Sequence, residues 1–375
     1  MSGPLAGLKV VEMAGIGPSP LAGQLLADLG AGVTVIARRS GKANPADINS
    51  RGKRSIALDL KKPQAVAVAL ELVASADVLI EGFRPGVMER LGLGPEPCCG
   101  RNPGLVYARM TGWGQTGPMA AMAGHDINYL GLTGVLHAIG RPSEPPPPPL
   151  NAVADYGGGT MFLLFGIMAA LWERQTSGRG QIVDAAMVDG VPALMALVHG
   201  FRATGKWTDR RGSNLLDGGA PFYRTYECAD GRFIAVGPLE PQFFAELCKR
   251  AGLPAEVAAA QYDVANWRGH HTAMGDLFRT KTRDEWASLF EGSDACATPV
   301  LDWSEAPRHP HLAARETFFE RDGVSQASPA PRFSRSQPAR PAAPRAPGED
   351  ADEILAGAGF DAATIASLRE QGILN

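Results

Sequence analysis

Short apolar runs alternate with longer segments of helical periodicity through the first third of the chain. Leu8–Glu12, Val33–Ile36, Asp77–Glu81 and Leu105–Met110 have the length and composition of strands. Pro20–Leu29, closed by Gly30, and Pro63–Ala76, where Pro63 fits a first helical turn, separate them as helices. Strand, helix and strand repeated in this way predict a Rossmann-like, mostly parallel α/β sheet with right-handed crossovers. Ligands of such sheets bind beyond the carboxyl ends of the strands.

Ala152–Ala170 is the most hydrophobic stretch. Between Asp155 and Glu173 it is at the short limit for a membrane span and holds three consecutive glycines, so a buried core helix is expected, with Asp155 in its first turn. The helix dipole there favours an ionised carboxylate. A β-α segment follows at Gln181–Ala186, then an apolar helix over Val188–Ala203. After a linker rich in Gly, Asn and Asp, two alternating runs flank Ala229-Asp-Gly, a hairpin signal that opens a smaller α+β domain. The expected organisation is a large domain over 1–205, a linker over 206–220, the small domain over 221–305, a crossing linker over 306–350 and a helical segment over 351–375 that returns to the large domain. Within the crossing, residues 326–348 are dense in Pro, Ala, Ser and Arg and read as extended chain. Pro145–Pro149 reads as a stiff loop leading into Asn151–Asp155.

The chain has 375 residues, 45% of them apolar, which is ample for a sizeable core. A net charge of −3 argues against nucleic-acid or anionic-membrane partners and makes any anion site local. The five cysteines are odd in number and lack a C-x-x-C spacing, which points to reduced thiols and a cytoplasmic setting rather than disulfides or zinc. No secretory leader is read at the N-terminus, and the final Ile-Leu-Asn does not match the simplest peroxisomal address.

Three ionisable residues stand in sequence suited to proton transfer. His125 lies in Ala-Gly-His-Asp-Ile-Asn-Tyr at 123–129, Asp155 in Asn-Ala-Val-Ala-Asp-Tyr-Gly-Gly-Gly at 151–159, and Glu240 between a strand-like run and Pro241. Small glycine-rich neighbours let substrate and backbone N–H groups approach an acid or base. Each also has a structural reading, His125 as a core histidine and the carboxylates as helix-terminal residues, and the spacing leaves both open. Gly15-Ile-Gly17-Pro resembles a dinucleotide loop weakly, since its third glycine is missing and Arg38 and Arg39 stand where an acidic residue is needed. Arg38, Arg39, Lys53, Arg54, Arg84 and Arg90 read either as phosphate contacts at one sheet edge or as a solvated basic face.

Several runs together closely resemble the α-methylacyl-CoA racemases of the family III CoA-transferase superfamily. They include Phe83-Arg-Pro-Gly-Val-Met-Glu-Arg-Leu, Thr111-Gly-Trp-Gly-Gln-Thr-Gly-Pro, Gly124-His-Asp-Ile-Asn-Tyr and Asp217-Gly-Gly-Ala-Pro-Phe-Tyr. The resemblance implies that fold, an interlocked homodimer, an acyl-CoA thioester as substrate, a role in lipid metabolism and no separate cofactor. It implies His125 and Asp155 as bases on opposite faces of the substrate α-carbon, Glu240 as the residue orienting the histidine from the partner chain, and the backbone N–H of Asp126 as a donor to the enolate oxygen. The implied CoA contacts are Arg38, Leu58, Asp59, Leu60, Lys61, Gly82, Phe83, Arg84, Arg90, Gly124, Ile127, Asn128 and Tyr129. The alternatives are a transferase in which Asp155 is the nucleophile, distinguished by the histidine that transferases lack, and a non-catalytic acyl-CoA-binding protein.

Overall fold

A computed structural model describes residues 3–38 and 41–374. Its contacts divide the chain into two units: the residues up to Thr133 with Leu150–Leu194 and those from Ala313 on, and Gly134–Pro149 with Met195–Leu312.

The first unit is built on six parallel strands: β1 (Lys9–Met13), β2 (Gly32–Ala37), β3 (Arg54–Ala57), β4 (Val78–Glu81), β5 (Val106–Thr111) and β6 (Ile182–Ala186). Their order, β3-β2-β1-β4-β5-β6, reverses between β1 and β4, the switch that opens a ligand crevice in doubly wound sheets. Helices Pro18–Asp28 and Pro63–Ala74 are the expected crossovers. β3 was not expected, because Arg54 and the charges before it mask a four-residue edge strand whose remaining positions, Ser55, Ile56 and Ala57, are buried. One core layer joins Val11, Ile36, Ile56, Leu79 and Tyr107 of the sheet to Val68 and Leu72 of the second helix. Ile354, Leu355, Ile365 and Leu368 of helices Ala351–Gly357 and Ala362–Glu370 close it, so the C-terminal segment packs on this sheet.

Ala152–Ser177 is one continuous helical stretch of 26 residues, long and apolar enough to cross a membrane by length and composition alone. Its first part, Ala152–Thr160, is π-helical, and Met161–Ser177 is α-helical. The α-helix packs on β5 and β6 through one face, where Leu163, Ile167 and Ala170 are buried, and Arg174 bonds Asp77 at 2.9 Å. That is the packing of a core helix. Its other face exposes Met161, Phe165, Met168 and Trp172, with Phe165 and Trp172 three-quarters accessible.

The helix expected over Val188–Ala203 is two, Met187–Leu194 and Ala196–Ala203. Pro192 removes one backbone donor from the ladder near the break. The expected crossing over 306–350 contains an antiparallel hairpin of two short strands, Phe318–Arg321 and Val324–Ala327. Asp322 and Gly323, at φ 51° and 76°, form its turn, a local Asp-Gly signal that the surrounding polar sequence obscured. Arg51 then ties this region down, donating to Gln326 Oε1 at 2.7 Å and to the Ala327 carbonyl at 2.9 Å.

The second unit has a three-stranded antiparallel sheet of β7 (Arg224–Glu227), β8 (Phe233–Val236) and β9 (Ala297–Pro299). The hairpin around Ala229-Asp-Gly is the expected one. Helices Pro241–Ala251, Val264–Phe278 and Arg283–Phe290 cover an aromatic core in which Trp286 and Phe290 stack at 5.8 Å and Phe278 meets Trp286 at 5.1 Å. Gly134–Pro149, expected in the large domain, groups with this unit because His137 bonds the Asp209 carbonyl at 2.9 Å and Pro142 packs at Gly212.

Candidate active site

Parallel strands place the residues that follow their carboxyl ends along one edge. Arg38 follows β2, Leu58–Lys61 follow β3, Gly82–Arg84 follow β4, and Gly112–Tyr129 follow β5. Arg90 ends the short helix Val87–Arg90 just beyond β4. Arg38, Lys61, Arg84 and Arg90 are exposed, as cations awaiting a solvent-borne anion must be, and Asp59, Leu60 and Phe83 are half-buried. Leu58 is buried in the core, its N–H donates to the Ala37 carbonyl at 3.0 Å and its main chain bridges Leu374, so its side chain faces no ligand. Glu81 fixes the turn after β4: its carboxylate accepts the Phe83 N–H at 2.7 Å and Arg109 Nε at 2.9 Å. Burial pushes that carboxyl upward, against the Phe83 N–H and Arg109.

The basic residues expected as one group divide. Lys53 is buried on Glu12, Nζ to Oε2 2.6 Å, and also donates to the Pro20 carbonyl at 2.9 Å. Arg54 lies on β3 and pairs with Glu353 at the surface. Neither is a phosphate contact at this edge: a paired interior ammonium cannot leave its carboxylate without a large desolvation cost, and Arg54 is already engaged elsewhere. Arg39 falls outside the described residues.

His125 precedes the helix Asp126–Leu132 in extended conformation, and its N–H donates to Asn128 Oδ1 at 3.0 Å. This leaves the imidazole exposed. Ile127 and Asn128 are also exposed, whereas Tyr129 is buried and crosses the Trp113 ring edge-on at 4.7 Å. Gly112 is required here because a Cβ would overlap the Tyr129 ring. Tyr129 donates to the Gly124 carbonyl at 2.5 Å, fixing the turn that presents His125. Its phenol is raised by burial and by Asp155, and Arg84 pulls the other way, which places Arg84, Tyr129 and Asp155 within one electrostatic neighbourhood.

Asp155 sits in the π-helical segment. Its carboxylate accepts from Asn151 Nδ2 at 3.4 Å, and the loop after β1 approaches it at Gly17, whose φ of 73° favours glycine. Thr160 Oγ donates to the Pro18 carbonyl at 2.9 Å and locks that loop against the segment. Burial raises the Asp155 carboxyl, the Asn151 bond opposes it, Asp126 adds to the rise and His125 lowers it. The carboxyl therefore lies above the usual carboxylate range despite its place in the first turn, and its ionised form is a stronger base than a solvated aspartate.

Sequence reasoning missed the side chain of Asp126. It is buried, and its Oδ2 accepts both the Ala154 N–H at 2.8 Å and the Asp155 N–H at 2.9 Å. Asn151, Trp113 and Gly17 were also missed as neighbours, for want of any local signal beyond small or aromatic residues in loops. Glu240 is in the second unit, exposed ahead of helix Pro241–Ala251, where its carbonyl accepts the Phe243 and Phe244 N–H groups at 3.1 Å. Among the described residues no three His, Cys, Asp or Glu side chains are grouped as a metal would require.

An imidazole and a partly desolvated carboxyl beside exposed cations suit proton transfer on an anionic, phosphate-bearing substrate. The chain is 48% identical to "Alpha-methylacyl-CoA racemase" of Mus musculus over 99% of this chain and 97% of that protein. It is 44% identical to the Homo sapiens protein of the same name with the same coverage. A crystal structure of a CAIB/BAIF family protein from Brucella suis superposes with a TM-score of 0.80 at 28% identity, covering 96% of this chain and all of that one. The model of CoA-transferase family III matches residues 5–352, and the chain belongs to that family.

Proposed function

We propose that this protein interconverts the two configurations of 2-methylacyl-CoA thioesters, as the names of its mouse and human relatives indicate for those proteins. The observation that carries the reading is the pairing of His125 with Asp155 in one unit, with the raised carboxyl suited to act as base in one direction and acid in the other. A thioester acidifies its α-C–H because the resulting enolate delocalises onto oxygen. One base takes the α-proton, and the conjugate acid across the enolate plane returns a proton to the other face. His125 gains the proton that Asp155 loses, or the reverse, so the reaction balances without a redox partner or separate cofactor.

The backbone N–H of Asp126, at the first helical position, has no intrahelical acceptor and is the proposed donor to the enolate oxygen. Arg38, Arg84 and Arg90, with the Leu58–Lys61 backbone, form the proposed cradle for the CoA phosphates and adenosine end. Glu240 is assigned the orienting of His125 from a second copy of the chain. The exposed stripe of Met161, Phe165, Met168 and Trp172 supports such a homodimer, since an apolar face of this kind calls for a covering surface. The five free thiols fit a reducing compartment, and the cytoplasm is proposed.

Incubation of one enantiomer in deuterated water without an acceptor acid tests the reaction. Racemisation with α-deuterium uptake is expected. Inertness until a free carboxylate is added would instead identify a transferase in which Asp155 attacks the thioester. Binding of the thioester without exchange or transfer would leave an acyl-CoA-binding protein.

A further inference from the structure

We infer that the Asp126 side chain is a positioning residue that brackets the two bases, joining the turn that carries His125 to the segment that carries Asp155. The inference rests on the proposed proton-transfer reading but concerns a group that reading uses only through its backbone. One carboxylate oxygen holds the Ala154 and Asp155 N–H groups at 2.8 and 2.9 Å, across 28 and 29 residues of chain. Asp126 directly follows His125, so a shift of its carboxylate moves both bases relative to the α-carbon between them. Its second oxygen, Oδ1, is buried with no protein partner among the described residues. Among the described residues no cation pairs with it, in contrast to the interior carboxylates of Glu12 and Asp28, which meet Lys53 and Arg51.

The same group therefore has a positional and an electrostatic action. The charged groups acting on Asp155 are Asp126, which raises its carboxyl, and His125, which lowers it; Tyr129 is the further titratable group beside it. Helix Met187–Leu194, which packs on the segment, brings Met187, Gly190, Val191 and Leu194 against its glycines and also carries Asp189; Pro18 packs at Gly159.

Asp126→Asn and Asp126→Ala separate the two actions in the full-length protein. The asparagine keeps an oxygen able to accept both N–H groups and removes the charge, whereas alanine removes both. Asp126→Ala is expected to lower kcat about 100-fold with KM nearly unchanged, the scale of a misplacement near 1 Å. Asp126→Asn is expected to recover most of that loss and to move the limb of the pH profile set by Asp155 to lower pH. The sign follows from removing a like charge: the Asp155 carboxyl falls, so its onset as base and its loss as acid both move down.

Full kcat in a folded Asp126→Ala, or an Asp126→Asn profile that coincides with wild type, would overturn the inference. Should Asp126→Ala fail to fold, the Asp126→Asn profile decides alone. Absence of α-proton exchange in the wild type would instead remove the reaction on which the inference rests.

Discussion

Glu12 and Asp126 are both buried carboxylates of the first unit, and the protein satisfies them differently. Glu12 meets the Lys53 ammonium at 2.6 Å, beneath a helix in which Gly23 leaves no room for a larger residue. Burial pushes its carboxyl up to about 7, with Lys53 opposing the rise. Asp126 meets two backbone N–H groups and, among the described residues, no cation, and it stands next to an exposed imidazole and a half-buried carboxyl. A carboxylate closed on a cation does structural work in the interior. One that holds the backbone of a distant segment beside an exposed imidazole is placed to act on the proposed chemistry.

Substitutions at the two places should separate stability from turnover. His125→Ala and Asp155→Asn should each reduce two-way inversion by about 10²–10⁴-fold, the range of general acid–base groups, while circular dichroism and unfolding midpoint stay near wild type. Full activity in either variant would remove that residue from the mechanism. Lys53→Met should do the opposite, lowering unfolding free energy in urea by about 3–5 kcal/mol because Glu12 is left buried and unpaired. A stable Lys53→Met protein would dissolve the contrast.

Arg84→Ala should raise KM for a CoA thioester about tenfold with kcat retained, as loss of one charge-assisted phosphate contact does, and the difference from wild type should narrow at high salt. An unchanged KM at low salt would take Arg84 out of the CoA cradle. Arg54→Ala should have the smallest effect, within about 0.5 kcal/mol of wild-type stability, since its pair with Glu353 is solvated. A larger loss there would mean that position on the chain, rather than burial, sets what a cation contributes.

Much of the fold was legible because its signals are local. β1, β2, β4, β5 and β6, the two crossover helices and the Ala229-Asp-Gly hairpin lie within a residue or two of their expected places. β3 was hidden because an edge strand of four residues starting with arginine carries little periodicity. The hairpin at Asp322-Gly323 was lost in polar sequence, and the split near Met195 depended on which unit each half packs into. At the site, His125 and Asp155 could be singled out from glycine-rich surroundings, but the Asp126 side chain could not, because its partners are 28 and 29 residues away.

The sequence by itself determined most of the elements, the parallel sense of the sheet and the supply of an imidazole, carboxylates and cations in loops after strands. Those follow from periodicity and residue chemistry, which neighbours along the chain carry. Only the tertiary structure decided that Lys53 pairs with Glu12 while Arg84 stays exposed, that burial raises the Asp155 carboxyl, and that Asp126 joins the segments that carry His125 and Asp155. Burial and pairing depend on what arrives from distant segments, and no local pattern records that.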